Sequence, residues 1–131
     1  MDKSPLVTEQ IDAGELLIRE FSKQIPVQAA FWLRERDSDE WYFYLASDQI
    51  NDSNFDHAYG EVLRIVRPQQ SLWIDPFQVK VIGIEDPLAK AALDVMVKYP
   101  SKIPTRYHGR HFGGLSVDEV YIYALPLSAP A

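Results

Sequence analysis

A chain of 131 residues, 47% hydrophobic and 24% charged, has the size and balance of one globular domain that buries its own core, which excludes chain-wide disorder. It holds no cysteine, and this removes disulfides, thiolate nucleophiles and sulfur-ligated zinc or iron–sulfur centres. The formal charge of −6 disfavours non-specific nucleic-acid binding, but it is uneven: 13 Asp/Glu face 5 Lys/Arg over residues 1–61 (net −8), and 6 face 8 over residues 62–131 (net +2).

The first residues, Met1-Asp2-Lys3-Ser4-Pro5, lack a basic stretch followed by an apolar one, and no apolar run approaches the roughly 20 residues that span a bilayer. A cytoplasmic protein without a membrane partner is the expectation. Residues 8–24 then predict a helix, capped by Thr8, with Ile11, Leu17, Ile18 and Phe21 at helical spacing and Pro26 as the stop. Gly14 inside it costs about 1 kcal/mol relative to alanine.

Residues 27–36 alternate with a period of two, Asp37-Ser38-Asp39-Glu40 supplies turn chemistry, and Trp41-Tyr42-Phe43-Tyr44 is aromatic, so together they predict an antiparallel hairpin. Both faces of that hairpin carry large rings. One face must meet the helices, and the other needs a cover: the 73–77 loop, a second copy of the chain, or a partner. Asp52-Ser53 can cap a second helix in which Phe55, Tyr59, Val62, Leu63 and Val66 recur, ended by Pro68. Residues 68–78 carry Trp73, Ile74 and Phe77 without period and predict a loop folded back over the core.

Residues 79–84 predict a third strand, and Asp86-Pro87 a strong start for a third helix with Leu88, Ala91, Ala92, Val95 and Met96 on one face. After Pro100 and Pro104 come a short extended segment, a turn at Gly113-Gly114 and a last strand over 120–125. Nothing repeats at a fixed period and no linker divides the chain, so residues 1–131 form one domain with frayed tails at 1–7 and 126–131. The predicted class is α+β, a single layer of mostly antiparallel sheet packed against about three helices in the order α-β-β-α-β-α-β-β.

Catalytic signatures fail in turn. His108 and His111 form an H-x-x-H pair, but an extended segment points them to opposite sides, so no metal site and no cofactor is expected. Gly114-Leu115-Ser116-Val117-Asp118 lacks the last glycine of a nucleophile elbow, and Ser116 with Glu119 has the spacing of a capping box, which predicts a structural turn or a one-turn helix. No phosphate-binding glycine loop occurs. Asp37, Asp39 and Glu40 read as a solvated turn, so no catalytic residue is assigned.

The segment 98–111 stands out, because it holds Lys98, Lys102, Arg106, Arg110, His108, His111, Tyr99 and Tyr107 and no acid. Cations interleaved with aromatics suit phosphate contacts and base stacking. Lys102, Arg106, Tyr107, His108, Arg110 and His111 are therefore the candidate binding residues. The competing structural account pairs these cations with the acidic first half of the chain, or has them simply solvate an edge strand.

The succession Tyr59-Gly60-Glu61-Val62-Leu63-Arg64-Ile65-Val66, Asp75-Pro76-Phe77, Asp86-Pro87-Leu88 and Ile103-Pro104-Thr105-Arg106-Tyr107 through Gly113-Gly114 resembles small uncharacterised bacterial proteins. That resemblance covers about the last 75 residues, implies a bacterial, intracellular setting and transfers no catalytic residue. The function expected is a non-enzymatic binding module with a protein partner, self-associating through an aromatic sheet face. Two alternatives stand behind it: nucleic-acid binding through 98–110, and an enzyme on a small anion, clamped by Arg106 or Arg110 with His108 or His111 as acid–base.

Overall fold

The computed structural model describes residues 5–69, 72–100 and 102–127. Helix α1 (Thr8–Phe21) follows Val7 at the cap position, whose backbone N–H is taken by the Gln10 side chain at 3.1 Å. Thr8 is thus the first helical residue rather than the cap, and the helix stops three residues before Gln24. The predicted hairpin is present as β1 (Ala29–Glu35) and β2 (Tyr42–Ser47), antiparallel, with Trp32 opposite Phe43 and Phe31 opposite Tyr44.

Helix α2 (Phe55–Val66) begins after Asn54 rather than after Asp52-Ser53, with no side-chain cap; the Asn51 side chain accepts the backbone N–H groups of Ser53 and Asn54 in the turn before it. Strand β3 (Val79–Gly83) lies parallel to β2, and Asp86 caps α3 (Pro87–Lys98) by accepting the Leu88 N–H at 2.8 Å. Then follow β4 (Thr105–Tyr107), β5 (His111–Phe112) and β6 (Leu115–Ile122). The sheet runs β3-β2-β1-β6-β4, with β5 paired to β6, and all pairs except β2–β3 are antiparallel. This is the predicted α+β architecture.

The last strand begins at Leu115, not at 120. Ser116 and Glu119 therefore sit in β6, and neither the turn nor the one-turn helix expected of them forms. The cause is a bulge: Arg34 faces Glu119 while Glu35 faces Val117, which leaves Asp118 as an extra residue and breaks the alternation of the strand.

Strand β1 is buried on both faces, as its unbroken apolar run Ala-Ala-Phe-Trp-Leu demands of a central strand. Ala30 and Trp32 join Phe43, Leu45, Val79 and Val81 under α1 and α2. On the other face Phe31, Leu33 and Ile122 pack with Ala89 and Ala92 of α3. Each fully buried Leu, Ile or Phe contributes about 1.5–3 kcal/mol. The second face of the aromatic hairpin is thus covered by α3, not by the 73–77 loop, a second copy or a partner. Of the expected tails, Leu6 is buried and Leu127 rests against the α1/α2 core, while residues 1–4 and 128–131 lie outside the described residues.

Candidate functional site

Strand alternation divides the basic segment between the two faces of the sheet. Arg106 stands on the α1 side, its Nη1 donating to the Glu119 carboxylate at 3.3 Å and its guanidinium 5.1 Å above the Tyr121 ring. The Nε2 of His108 is 3.9 Å from the same carboxylate oxygen. Tyr107 points to the α3 side, where its hydroxyl donates to the backbone carbonyl of His111 at 2.7 Å and its ring tilts against Phe112. Lys98 reaches back one turn to Asp94, at 3.1 Å.

A cleft of ≈ 260 Å³ between α3 and the β4/β5 strands takes Lys98, Tyr99, Tyr107 and His111, but Arg106, His108, Lys102 and Arg110 are not in its lining. The six candidate binding residues therefore do not converge. The acids that hold these cations, Asp94 and Glu119, belong to the second half of the chain, so the expected pairing with the acidic first half is replaced by local and cross-strand pairs. His108 lies by Glu119 while His111 lines the cleft beside α3, and among the described residues no cluster of three or more His, Asp or Glu could hold a metal ion.

Arg106 itself is testable. Its side chain is 48% exposed, and an exposed pair plus an exposed cation–ring contact together contribute about 1 kcal/mol. Arg106→Ala is expected to lower the urea midpoint by an amount worth about 1 kcal/mol. A midpoint unchanged within error, joined to loss of oligonucleotide binding at low salt, would restore Arg106 as a binding residue.

The second region was not singled out by sequence. Strand β3 is a sheet edge, and no strand among the described residues pairs with its outer side. That edge floors a groove of ≈ 560 Å³ with Phe55, Tyr59 and Phe77 on one wall and Tyr44, Lys80 and Leu88 on the other. Phe77 is 80% exposed although it sits in a well-fixed 3₁₀ turn, Pro76–Gln78. Asp75 accepts the Phe77 N–H at 2.8 Å, Gln78 Nε2 donates to the Trp41 carbonyl at 3.2 Å, and the Tyr59 hydroxyl donates to the Pro76 carbonyl at 2.7 Å. Phe55 stacks on Tyr59 with ring centroids 6.4 Å apart. Leu72, 93% exposed, and half-exposed Trp73 precede this turn, so the loop expected to fold over the core instead presents most of its apolar side chains outward, with Ile74 alone of the three apolar residues at 72–74 buried.

On the opposite wall Tyr44 and Lys80 are direct cross-strand neighbours. The Tyr44 ring stacks on Phe31 at 5.0 Å, and burial pushes its phenol up to about 12, with Glu35 and Asp86 adding to the rise. Its hydroxyl remains a neutral donor across the physiological range. Lys80 Nζ lies 5.4 Å over the Tyr42 ring. No family model matches the chain, and neither a curated protein nor a solved structure matches it.

Proposed function

We propose that this protein is a non-enzymatic interaction module and that the β3 edge, with its aromatic wall, is the surface that receives a partner protein. The observation that carries this is the fixed exposure of Phe77. A large apolar ring held outward by a capped turn and by a tyrosine hydrogen bond gains nothing for the monomer, whereas exposed apolar patches at a groove mark interaction sites. Self-association through an aromatic sheet face has lost its ground, because α1 and α2 cover one face and α3 the other. The nucleic-acid and small-anion readings draw no support from a segment whose cations divide between two faces and whose Arg106, His108 and Lys98 already have acidic neighbours. Among the described residues no helix is long and apolar enough to cross a membrane.

Photo-crosslinking in the native cell tests the reading. A benzophenone amino acid placed at Phe77 is expected to give a discrete adduct that disappears when Phe55→Ser is added. The same probe at Val97, equally exposed but on α3, is expected to give none. Equal adducts from both positions, or none from position 77, would remove the groove as the interaction surface.

A further inference from the structure

We infer that the partner enters the groove as an extended segment that pairs with the outer edge of β3 and carries a carboxylate side chain onto Tyr44 and Lys80, flanked by apolar side chains that meet Phe55 and Phe77. This rests on the interaction reading above and names its occupant.

Length and shape come first. Five residues of strand span about 17 Å, and the floor of the groove is that strand, Val79–Gly83, lined from both sides. A segment pairing with the open edge satisfies main-chain groups on both chains, and its side chains then alternate between the two walls. One wall is apolar: Phe55, Tyr59 and Phe77. The other carries two donors in direct register, the Tyr44 hydroxyl and the Lys80 ammonium, and neither has a hydrogen-bond or carboxylate partner among the described residues. The Asp86 carboxylate also lines this groove and accepts the Leu88 N–H at the start of α3, which leaves Lys80 as the group on this wall that draws the acid. Lys80 Nζ lies over the Tyr42 ring, and an acidic side chain is the group that complements such a cation on a wall that also carries a phenol O–H.

The same charge argues against a second copy as the occupant. The edge sequence Val-Lys-Val-Ile-Gly offers Lys80 no acid, a lysine on an edge strand opposes pairing with its own kind, and two chains each of charge −6 repel. A strand bearing an acid supplies the partner that Lys80 lacks and sets no lysine against it.

The experiment uses the full chain and fluorescein-labelled heptapeptides titrated by fluorescence anisotropy. Each peptide has valine on both sides of a central residue, which is glutamate, glutamine or lysine. A fourth has the glutamate centre with alternate backbone nitrogens methylated. The glutamate peptide is expected to bind about fivefold more tightly than the glutamine peptide and more than about tenfold more tightly than the lysine peptide, the scale of opposed and like cross-strand charges. Lys80→Glu is expected to reverse that order, Lys80→Gln to flatten it, and backbone methylation to weaken binding by about tenfold or more. Phe77→Ser is expected to weaken every peptide alike.

Equal affinities for the three centres, indifference to methylation, or absence of binding at millimolar peptide would each overturn the inference. So would a stable dimer that dissociates on Lys80→Pro, since the occupant would then be a second copy. If the Phe77 crosslink persists while the peptides fail, the interaction reading stands and the acidic strand falls. If the crosslink is absent as well, both fall.

Discussion

Trp32→Ala is expected to lower the free energy of unfolding by about 3–5 kcal/mol, the range for emptying a buried aromatic site. Trp32 is fully buried at the centre of β1, with its ring 5.0 Å from Phe43. Its Nε1–H donates to the Tyr123 hydroxyl at 3.0 Å, and that hydroxyl donates to the Ile11 carbonyl at 2.6 Å, so one relay ties the middle strand, the C-terminal segment and α1 together. Gly14 makes the relay possible: a Cβ there would collide with the Tyr123 hydroxyl and come within 2.9 Å of Trp32 Nε1. The helix tolerates a poor helix former so that it can lie close over this pair. Tyr123→Phe keeps the ring and strands two buried polar groups, and its expected cost is smaller, about 1–3 kcal/mol. Urea unfolding at constant slope measures both. If Tyr123→Phe cost as much as Trp32→Ala, the hydrogen bonds rather than the packed volume would dominate the site.

The hairpin and the start of α3 were legible because their signals are local. The alternation of residues 27–36 and the Asp86-Pro87 pair act within one element, and both elements form as predicted. What was not legible depends on pairing between distant segments. The alternation of β6 is broken by Asp118, which is an extra residue only with respect to β1, so nothing in its own neighbourhood reveals a strand starting at Leu115. The segment 98–111 lacks acids, yet Glu119 lies opposite it across the sheet, and the charge reading along the chain could not see that partner. Alternation also sends Arg106 and Tyr107 to different faces, which dissolves a cluster that exists only in sequence.

Trp73, Ile74 and Phe77 are large apolar residues without period, which by chemistry alone predicts burial, and of the three only Ile74 is buried. The exposure of Phe77 follows from Pro76–Gln78 being a capped turn, whose hydrogen bonds to Asp75, Tyr59 and Trp41 point it outward. An aperiodic apolar loop beside an edge strand is as consistent with a docking surface as with a lid, and only the position of β3 in the sheet distinguishes the two.

Gly113→Ala is expected to destabilise the protein by about 2–4 kcal/mol, the sum of a left-handed backbone cost and a steric one. Gly113 and Gly114 form the two-residue turn between β5 and β6, with φ of 60° and 82°, the pattern of a type I′ hairpin turn. At both positions a side chain strains the backbone by about 1–2 kcal/mol. Only at Gly113 is there a second obstacle, because a Cβ would come within 2.7 Å of the Pro87 carbonyl oxygen and 2.9 Å of the Leu88 Cα. These are backbone atoms at the fixed start of α3, held by the Asp86 cap, and they cannot rotate away as a side chain end would. Around Gly114 nothing lies within 4 Å. Gly114→Ala should therefore show the backbone cost alone, about 1–2 kcal/mol, and the difference between the two variants isolates the contact between the β5–β6 turn and α3. Denaturant midpoints of the pair decide it. Equal losses would mean that the turn shifts away from the helix freely, and that α3 is held over Phe31 and Ile122 by its alanine face without help from the hairpin.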